Sequence, residues 1–125
     1  MIIIGHPLVE YLPFYEIISL EDIKKTPPNS RVIFEFDAKV ADYCQKNGVS
    51  FAMKIKDKQE AVLSNALEAD FIVTDRKIAK EVQSIAEDYI FDSKVLLLAD
   101  SGESFEWAIE SRIDGILFEK AVKRV

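Results

Sequence analysis

Acidic side chains, together with one histidine, follow nearly every apolar run that the sequence predicts to be a β-strand. These residues are His6, Asp37, Asp57, Asp75, Asp100 and Glu119. Carboxylates that converge within about 5 Å can bind Mg²⁺ or Mn²⁺, and the bound ion can activate water for phosphoester cleavage. One hypothesis is therefore a divalent-metal-dependent phosphoester hydrolase, a nuclease or a phosphodiesterase-like enzyme. Its metal ligands would be Asp37, Asp57, Asp75 and Asp100, and its acid or base would be His6.

The same four aspartates also have a purely structural explanation. Each of them directly precedes a segment that the sequence predicts to be a helix. An aspartate in that position accepts hydrogen bonds from free backbone N–H groups and contributes about 1 kcal/mol to stability. Because a helix cap needs no metal, we favour this interpretation and expect no cofactor.

The sequence lacks the residues that most other kinds of site require. The four glycines, at positions 5, 48, 102 and 115, are too far apart for a dinucleotide-binding or phosphate-binding loop. A zinc site would need two carboxylates in addition to the single histidine and the single cysteine, His6 and Cys44. We expect Cys44 to be a buried, small apolar residue of a helix and not a nucleophile.

One stretch of ten residues resembles a known enzyme family. Residues 66–75 read Ala-Leu-Glu-Ala-Asp-Phe-Ile-Val-Thr-Asp. This stretch resembles the late strand and acidic turn of PIN-domain ribonucleases, and the resemblance implies that Asp75 binds a metal. The family carries an aspartate at the end of its first strand, where this sequence has Gly5 and His6. The nuclease assignment is therefore not adopted.

Strands and helices alternate along the chain, and they must position these residues. Apolar patterns predict strands at residues 2–4, 32–36, 49–55, 71–74, 95–99 and 115–118, and helices at 38–46, 58–68, 76–90 and 103–112. The aromatic stretch 11–18 could add a short strand. The alternation predicts a single α/β domain with a mainly parallel sheet of five to six strands and helices on both faces, Rossmann-like or flavodoxin-like.

A half-barrel is the alternative arrangement. Residues 60–74 and 106–118 both run from a helix through a turn with an aspartate into a buried strand, like the units of TIM barrels. A chain of 125 residues is half the length of a typical barrel, so a half-barrel would have to dimerise to close. Within the sheet we expect uniformly apolar strands at the centre, and the strands interrupted by Glu35 and Lys54 nearer an edge.

Composition limits the partners and the compartment. Sixteen Lys and Arg against 22 Asp and Glu give a net charge of −6, which argues against nucleic acid as a partner. No apolar run approaches the roughly 20 residues that span a bilayer, so we expect no membrane partner. The first residues lack the basic start of a signal peptide, and a single cysteine cannot form an internal disulfide. These features predict a cytoplasmic protein.

Aromatic residues could form a contact surface. Tyr11, Phe14 and Tyr15 lie near prolines and outside a helical period, and Trp107 lies in the last predicted helix. Aromatic side chains are enriched at protein interfaces, although those of the first segment could instead cover the sheet. Because no catalytic arrangement is specific, we favour a small non-catalytic regulatory or protein-interaction module. Its expected partner is a second copy of itself, as a homodimer, or another protein.

Overall fold

The computed structural model describes all residues, 1–125. Its strands are β1 (Ile2–Ile4), β2 (Phe14–Glu16), β3 (Arg31–Glu35), β4 (Phe51–Lys54), β5 (Phe71–Thr74), β6 (Lys94–Ala99), β7 (Gly115–Phe118) and β8 (Val122–Arg124). Its α-helices are α1 (Ala38–Lys46), α2 (Lys58–Ala66), α3 (Ala79–Asp88) and α4 (Gly102–Glu110), and 3₁₀ helices cover Leu20–Lys25 and Glu119–Ala121. None of the helices has the length and apolar character needed to cross a membrane.

All eight strands form one sheet in the order β1-β7-β6-β5-β4-β3-β2-β8, and every neighbouring pair is parallel. The predicted α/β fold with a parallel sheet is therefore confirmed. The sheet has eight strands instead of five to six. The strand missed altogether, β8, has only three residues, Val-Lys-Arg, and two of them are charged. So short a run has no apolar pattern from which a strand could be predicted.

The link from β7 to β8 shows that the sheet is curled. These two strands are six places apart in the sheet, a distance of about 29 Å if the sheet were flat. The four Cα–Cα steps from Phe118 to Val122 can cover at most about 15 Å. In agreement, the rings of Phe14 in β2 and Phe71 in β5 lie 5.7 Å apart, although two strands separate β2 from β5. The half-barrel alternative fits this curled sheet.

The two faces of the sheet are covered differently. Two apolar clusters combine alternate strand residues, such as Val32 and Ile72, with residues of the four helices. The third cluster contains strand residues and Ala121 but no α-helical residue. Its buried members are Ile4, Phe14, Ile33, Ala52, Val73, Leu96, Leu117 and Ala121. The helices therefore cover the outer face, while the inner face is filled by side chains of the curled sheet itself.

Gly115 shows how closely the strands pack on the inner face. A Cβ atom at this position would lie 2.6 Å from Cδ2 of Leu96 and 2.7 Å from Cβ of Ile2. Both distances are shorter than any ordinary contact between carbon atoms. Glycine is therefore required where β7 passes between β6 and β1.

The predicted sheet positions of β1 and of β4, the strand that contains Lys54, are wrong, and the curl explains why. Lys54 belongs to β4 and Glu35 to β3, and both strands have hydrogen-bonded neighbours on both sides. The apolar strand β1, which was expected at the centre, lies at one end of the order. Lys54 interrupts an apolar run because the inner face opens to solvent at the carboxyl end of the strands, and not because its strand is at an edge.

Candidate functional site

Two of the predicted metal ligands are helix caps. One carboxylate oxygen of Asp37 accepts hydrogen bonds from the backbone N–H groups of Lys39 and Val40, at 3.0 and 3.2 Å. Asp57 accepts one from the backbone N–H of Glu60 at 2.8 Å. These bonds satisfy donors at the first turns of α1 and α2, which have no partner within their own helix. The positions of Asp37 and Asp57 are explained without a metal.

The other two aspartates do not complete a metal site. Asp75 accepts a hydrogen bond from the backbone N–H of Lys77 at 2.9 Å, which closes a local turn after β5. The side chain of Asp100 is exposed and makes no hydrogen bond with the rest of the chain. Nowhere do three or more His, Cys, Asp or Glu side chains come together as a set that could hold a metal ion. The carboxylates follow parallel strands, as expected, but no three of them form a group that could hold a metal ion.

His6 lies at the end of β1, in an aromatic environment. Its Nδ1 accepts a hydrogen bond from the backbone N–H of Leu8 at 3.1 Å, which assigns the proton of a neutral ring to Nε2. The ring centroid is 5.9 Å from that of Phe105 and 6.1 Å from that of Phe118. These contacts pack His6 between β7 and α4, where it is a positioned ring without an acidic partner.

Cys44 is fully buried among the apolar residues that α1 packs against the outer face of the sheet. The prediction of a buried residue is therefore confirmed. Burial raises the pKa of the Cys44 thiol to about 11. A thiol that stays protonated at neutral pH is a poor nucleophile.

The arrangement best suited to binding is a cavity that we call the mouth cavity. It lies at the carboxyl ends of the strands, has a volume of about 250 Å³ and is lined by Glu16, Lys54, Leu98, Glu119, Val122 and Arg124. The strands that contribute are β2, β4, β6 and β8, together with the 3₁₀ helix before β8. Parallel α/β sheets and barrels place their ligands at this end of the strands.

An ion pair crosses the mouth cavity. Nζ of Lys54 donates a hydrogen bond to Oε2 of Glu16 at 2.5 Å, and the two side chains are 28% and 25% exposed. They come from β4 and β2, on either side of β3. The curl of the sheet brings the two side chains together, and partial shielding from water strengthens their attraction.

Two further charges in the mouth cavity have no partner. The structure contains four ion pairs, and neither Glu119 nor Arg124 belongs to any of them. Arg124 lies beside Glu16 in the pairing of β8 with β2. The carboxylate of Glu16 is engaged by Lys54, so the guanidinium of Arg124 is left without a carboxylate. The cavity thus contains one neutralised pair and one free charge of each sign.

The opposite, amino end of the inner face is closed by Arg31. Its guanidinium lies 4.3 Å from the ring centroid of Phe14 and 5.5 Å from that of Phe71, and it donates a hydrogen bond to the carbonyl oxygen of Leu12. Burial lowers the pKa of Arg31, and the carboxylate of Asp70 offsets part of this change. The buried Nε has no hydrogen-bond partner. This end is filled by cation–π contacts, so it offers little room for a ligand.

The predicted contact surface of the first aromatic segment is only partly present. Phe14 is fully buried in the inner cluster, so it is not available to a partner. Tyr15 is half-buried in the same short strand, and Tyr11 is 37% exposed. Phe14 faces inward because β2 alternates its side chains between the two faces of the sheet. Of the three aromatic residues, Tyr11 is the most exposed.

Trp107 contributes mainly to packing. It is half-buried against the outer cluster formed with α2, α3 and α4. Arg76 and Lys80 lie near its ring, with their charged groups 5.0 and 5.7 Å from the centroid. The part of the indole that these cations contact is therefore already occupied within the chain.

Of the four charged residues of the mouth cavity, sequence reasoning identified Glu119 as a residue at the end of a strand, but it did not assign Glu16, Lys54 or Arg124 to a site. A signal for the open end was present in the pattern of the strands. Glu16 ends β2 and Lys54 ends β4, and the inward-facing residue before each of them, Phe14 in β2 and Ala52 in β4, is buried. A polar residue at the last inward position of a strand indicates the open end of a curled sheet. In a flat sheet the same residue indicates an edge, which is the position that the sequence analysis predicts for the strand with Lys54.

Searches against protein-family models and curated proteins found no match.

Proposed function

We propose that the protein is a non-catalytic regulatory module that binds a small polar ligand in the mouth cavity. The observation that carries the proposal is the Glu16–Lys54 ion pair inside a cavity of about 250 Å³ at the carboxyl ends of the parallel strands. Polar groups that converge in a concave site give a ligand its orientation and specificity. We assign a regulatory role because a protein that binds a small ligand without converting it can respond to the concentration of that ligand.

The composition of the mouth cavity argues against catalysis. Its two shielded side chains, Glu16 and Lys54, are hydrogen-bonded to each other. General acid–base catalysis needs a group that can reach the reacting proton, and metal-assisted hydrolysis needs a set of convergent ligands. The carboxylates that follow the strands, those of Asp37, Asp57 and Asp75, instead accept hydrogen bonds from backbone N–H groups.

The test is a thermal-shift screen of small metabolites against the protein. A ligand at 100 times its dissociation constant stabilises the folded state by about 2.7 kcal/mol, which for a chain of this size raises the melting temperature on the order of 10 °C. The response should disappear in the double variant Glu16→Gln/Lys54→Gln and persist in Lys56→Gln, whose side chain is exposed and outside the cavity. No response to any compound, or turnover of a bound compound into a product, would overturn the proposal.

Self-association is the second candidate, and a specific observation favours it. Leu8 and Leu12, on either side of Tyr11 in the link from β1 to β2, are 87% and 67% exposed. Two such leucines in one short segment are typical of a contact surface. Light scattering over a range of concentrations should show a dimer that Leu8→Ser/Leu12→Ser converts to a monomer. The control is Val62→Ser, an exposed apolar residue of α2. A monomer at every concentration would refute this candidate.

A further inference from the structure

We infer that the ligand of the mouth cavity is a zwitterion of amino-acid size, with one carboxylate, one ammonium group and a small apolar part. The inference rests on the proposed function, since it names the chemical class of the ligand of that site. It is carried by the free charges of Glu119 and Arg124, which line the same cavity without pairing with each other.

The two free side chains match the two ends of such a ligand. The guanidinium of Arg124 presents a planar set of donors that suits a carboxylate, which can accept two parallel hydrogen bonds. The carboxylate of Glu119 accepts hydrogen bonds from an ammonium group. Because these residues carry opposite charges and remain apart, a molecule with both charges can satisfy both of them at once.

The ion pair leaves further partners for the ligand. Lys54 uses one of its three ammonium donors on Oε2 of Glu16, and Oε1 of Glu16 accepts no hydrogen bond within the chain. The ligand carboxylate can therefore reach Lys54 and the ligand ammonium can reach Glu16 without breaking the pair. The four charges of the cavity sum to zero, so a ligand with no net charge fits them best.

Size and lining exclude larger or more strongly charged ligands. The volume of about 250 Å³ is below the roughly 300–1,000 Å³ typical of sites for drug-sized molecules. A phosphate group would meet the carboxylates of Glu16 and Glu119 as well as the cations. Leu98 and Val122 provide the apolar part of the wall, against which a short aliphatic side chain can pack.

Titration calorimetry with three related probes tests the inference. L-valine carries both charges, isovalerate is the same molecule without the ammonium group, and isobutylamine is the same molecule without the carboxylate. We expect L-valine to bind, and each single-charge analogue to bind at least about tenfold more weakly, because it loses a charge-assisted hydrogen bond.

Two variants assign the ends of the probe. Arg124→Gln should weaken the binding of L-valine about tenfold and leave that of isobutylamine unchanged, whereas Glu119→Gln should weaken L-valine and leave isovalerate unchanged. Lys123→Gln and Lys120→Gln are the matched controls, because both residues are adjacent in sequence and outside the cavity lining. All four side chains are exposed, and melting curves verify that each variant folds.

The outcomes separate this inference from the proposed function. Equal affinity for L-valine and isovalerate would show that the site takes a simple anion, and equal affinity for isobutylamine would show that it takes a simple cation. Either result overturns the inference and leaves the proposed function standing. The same holds if none of the three probes binds but another compound raises the melting temperature. If no small molecule binds, both are wrong.

Discussion

The ion pair between Glu16 and Lys54 predicts a measurable coupling in stability. Replacing one partner of a fully buried ion pair costs about 3–5 kcal/mol, because the other charge is left without compensation. Glu16 and Lys54 are each about a quarter exposed, so water compensates part of that loss. We expect Glu16→Gln and Lys54→Gln each to lower the free energy of unfolding by about 2 kcal/mol.

The double variant Glu16→Gln/Lys54→Gln should cost much less than the sum of the two single variants. It leaves no uncompensated charge, and its two amide side chains can still form a hydrogen bond. We expect a total loss of about 2 kcal/mol, which corresponds to a coupling energy of about 2 kcal/mol between the two positions.

Urea unfolding, followed by circular dichroism, measures all four proteins of the cycle. The matched control is the surface pair of Asp42 and Lys46 on α1, whose charged atoms are 2.9 Å apart and whose side chains are more than half exposed. A helix pair of this kind is worth about 0.3–0.5 kcal/mol. If the losses at Glu16 and Lys54 add to within about 0.5 kcal/mol, the shielded pair does not exist and the mouth cavity is not organised as described.

Four further predictions test the aspartates that follow the strands, the packing of the inner face and the buried thiol. Mn²⁺ should leave the melting temperature unchanged, and a rise that is lost in Asp75→Asn would instead support the metal-dependent hydrolase. Gly115→Ala should lower the free energy of unfolding by about 1–3 kcal/mol in a urea titration, since its methyl group has no space; an unchanged stability would contradict the packing. Iodoacetamide should modify Cys44 at pH 8 only after unfolding, so rapid reaction of the native protein would show that the thiol is accessible. The pKa of the Cys44 thiol is about 11 in the folded state, so the unfolded thiol loses its proton at a lower pH than the folded one. The free energy of unfolding should therefore fall as pH rises from about 9 to 11, and Cys44→Ala should lack this fall.

Local patterns predicted the elements of the sheet and its helices well. The helix at Ala38–Lys46 has the predicted bounds, because Asp37 starts it and Asn47 and Gly48 follow it. At the start of the first 3₁₀ helix, the carboxylate of Asp22 accepts hydrogen bonds from the backbone N–H groups of Ile18 and Ser19, as in a capping box. Such short-range signals involve residues three or four positions apart, so they are complete within the sequence window that is read.

The curl and the site were not predictable in the same way. The curl depends on the pairing of Phe14–Glu16 with Val122–Arg124, more than 100 positions later in the chain, and no local pattern reports this contact. The mouth cavity follows from the curl, because Glu16 and Lys54 meet only when the strands bend toward each other. The caps Asp37 and Asp57, by contrast, were predictable because each directly precedes its own helix. The same prediction is wrong for Asp75 and Asp100, because the N-caps of α3 and α4 are Ile78 and Ser101.

The pairing of β8 with β2 has a consequence for how the protein acquires its fold during synthesis. Until Val122–Arg124 have left the ribosome, β2 lacks its outer hydrogen-bonding neighbour and the mouth cavity lacks one of its walls. The nascent chain can assemble the middle of the sheet, from β3 to β7, before that point. A chain that ended before Val122 would therefore lack both the β2–β8 pairing and the wall of the mouth cavity that β8 provides.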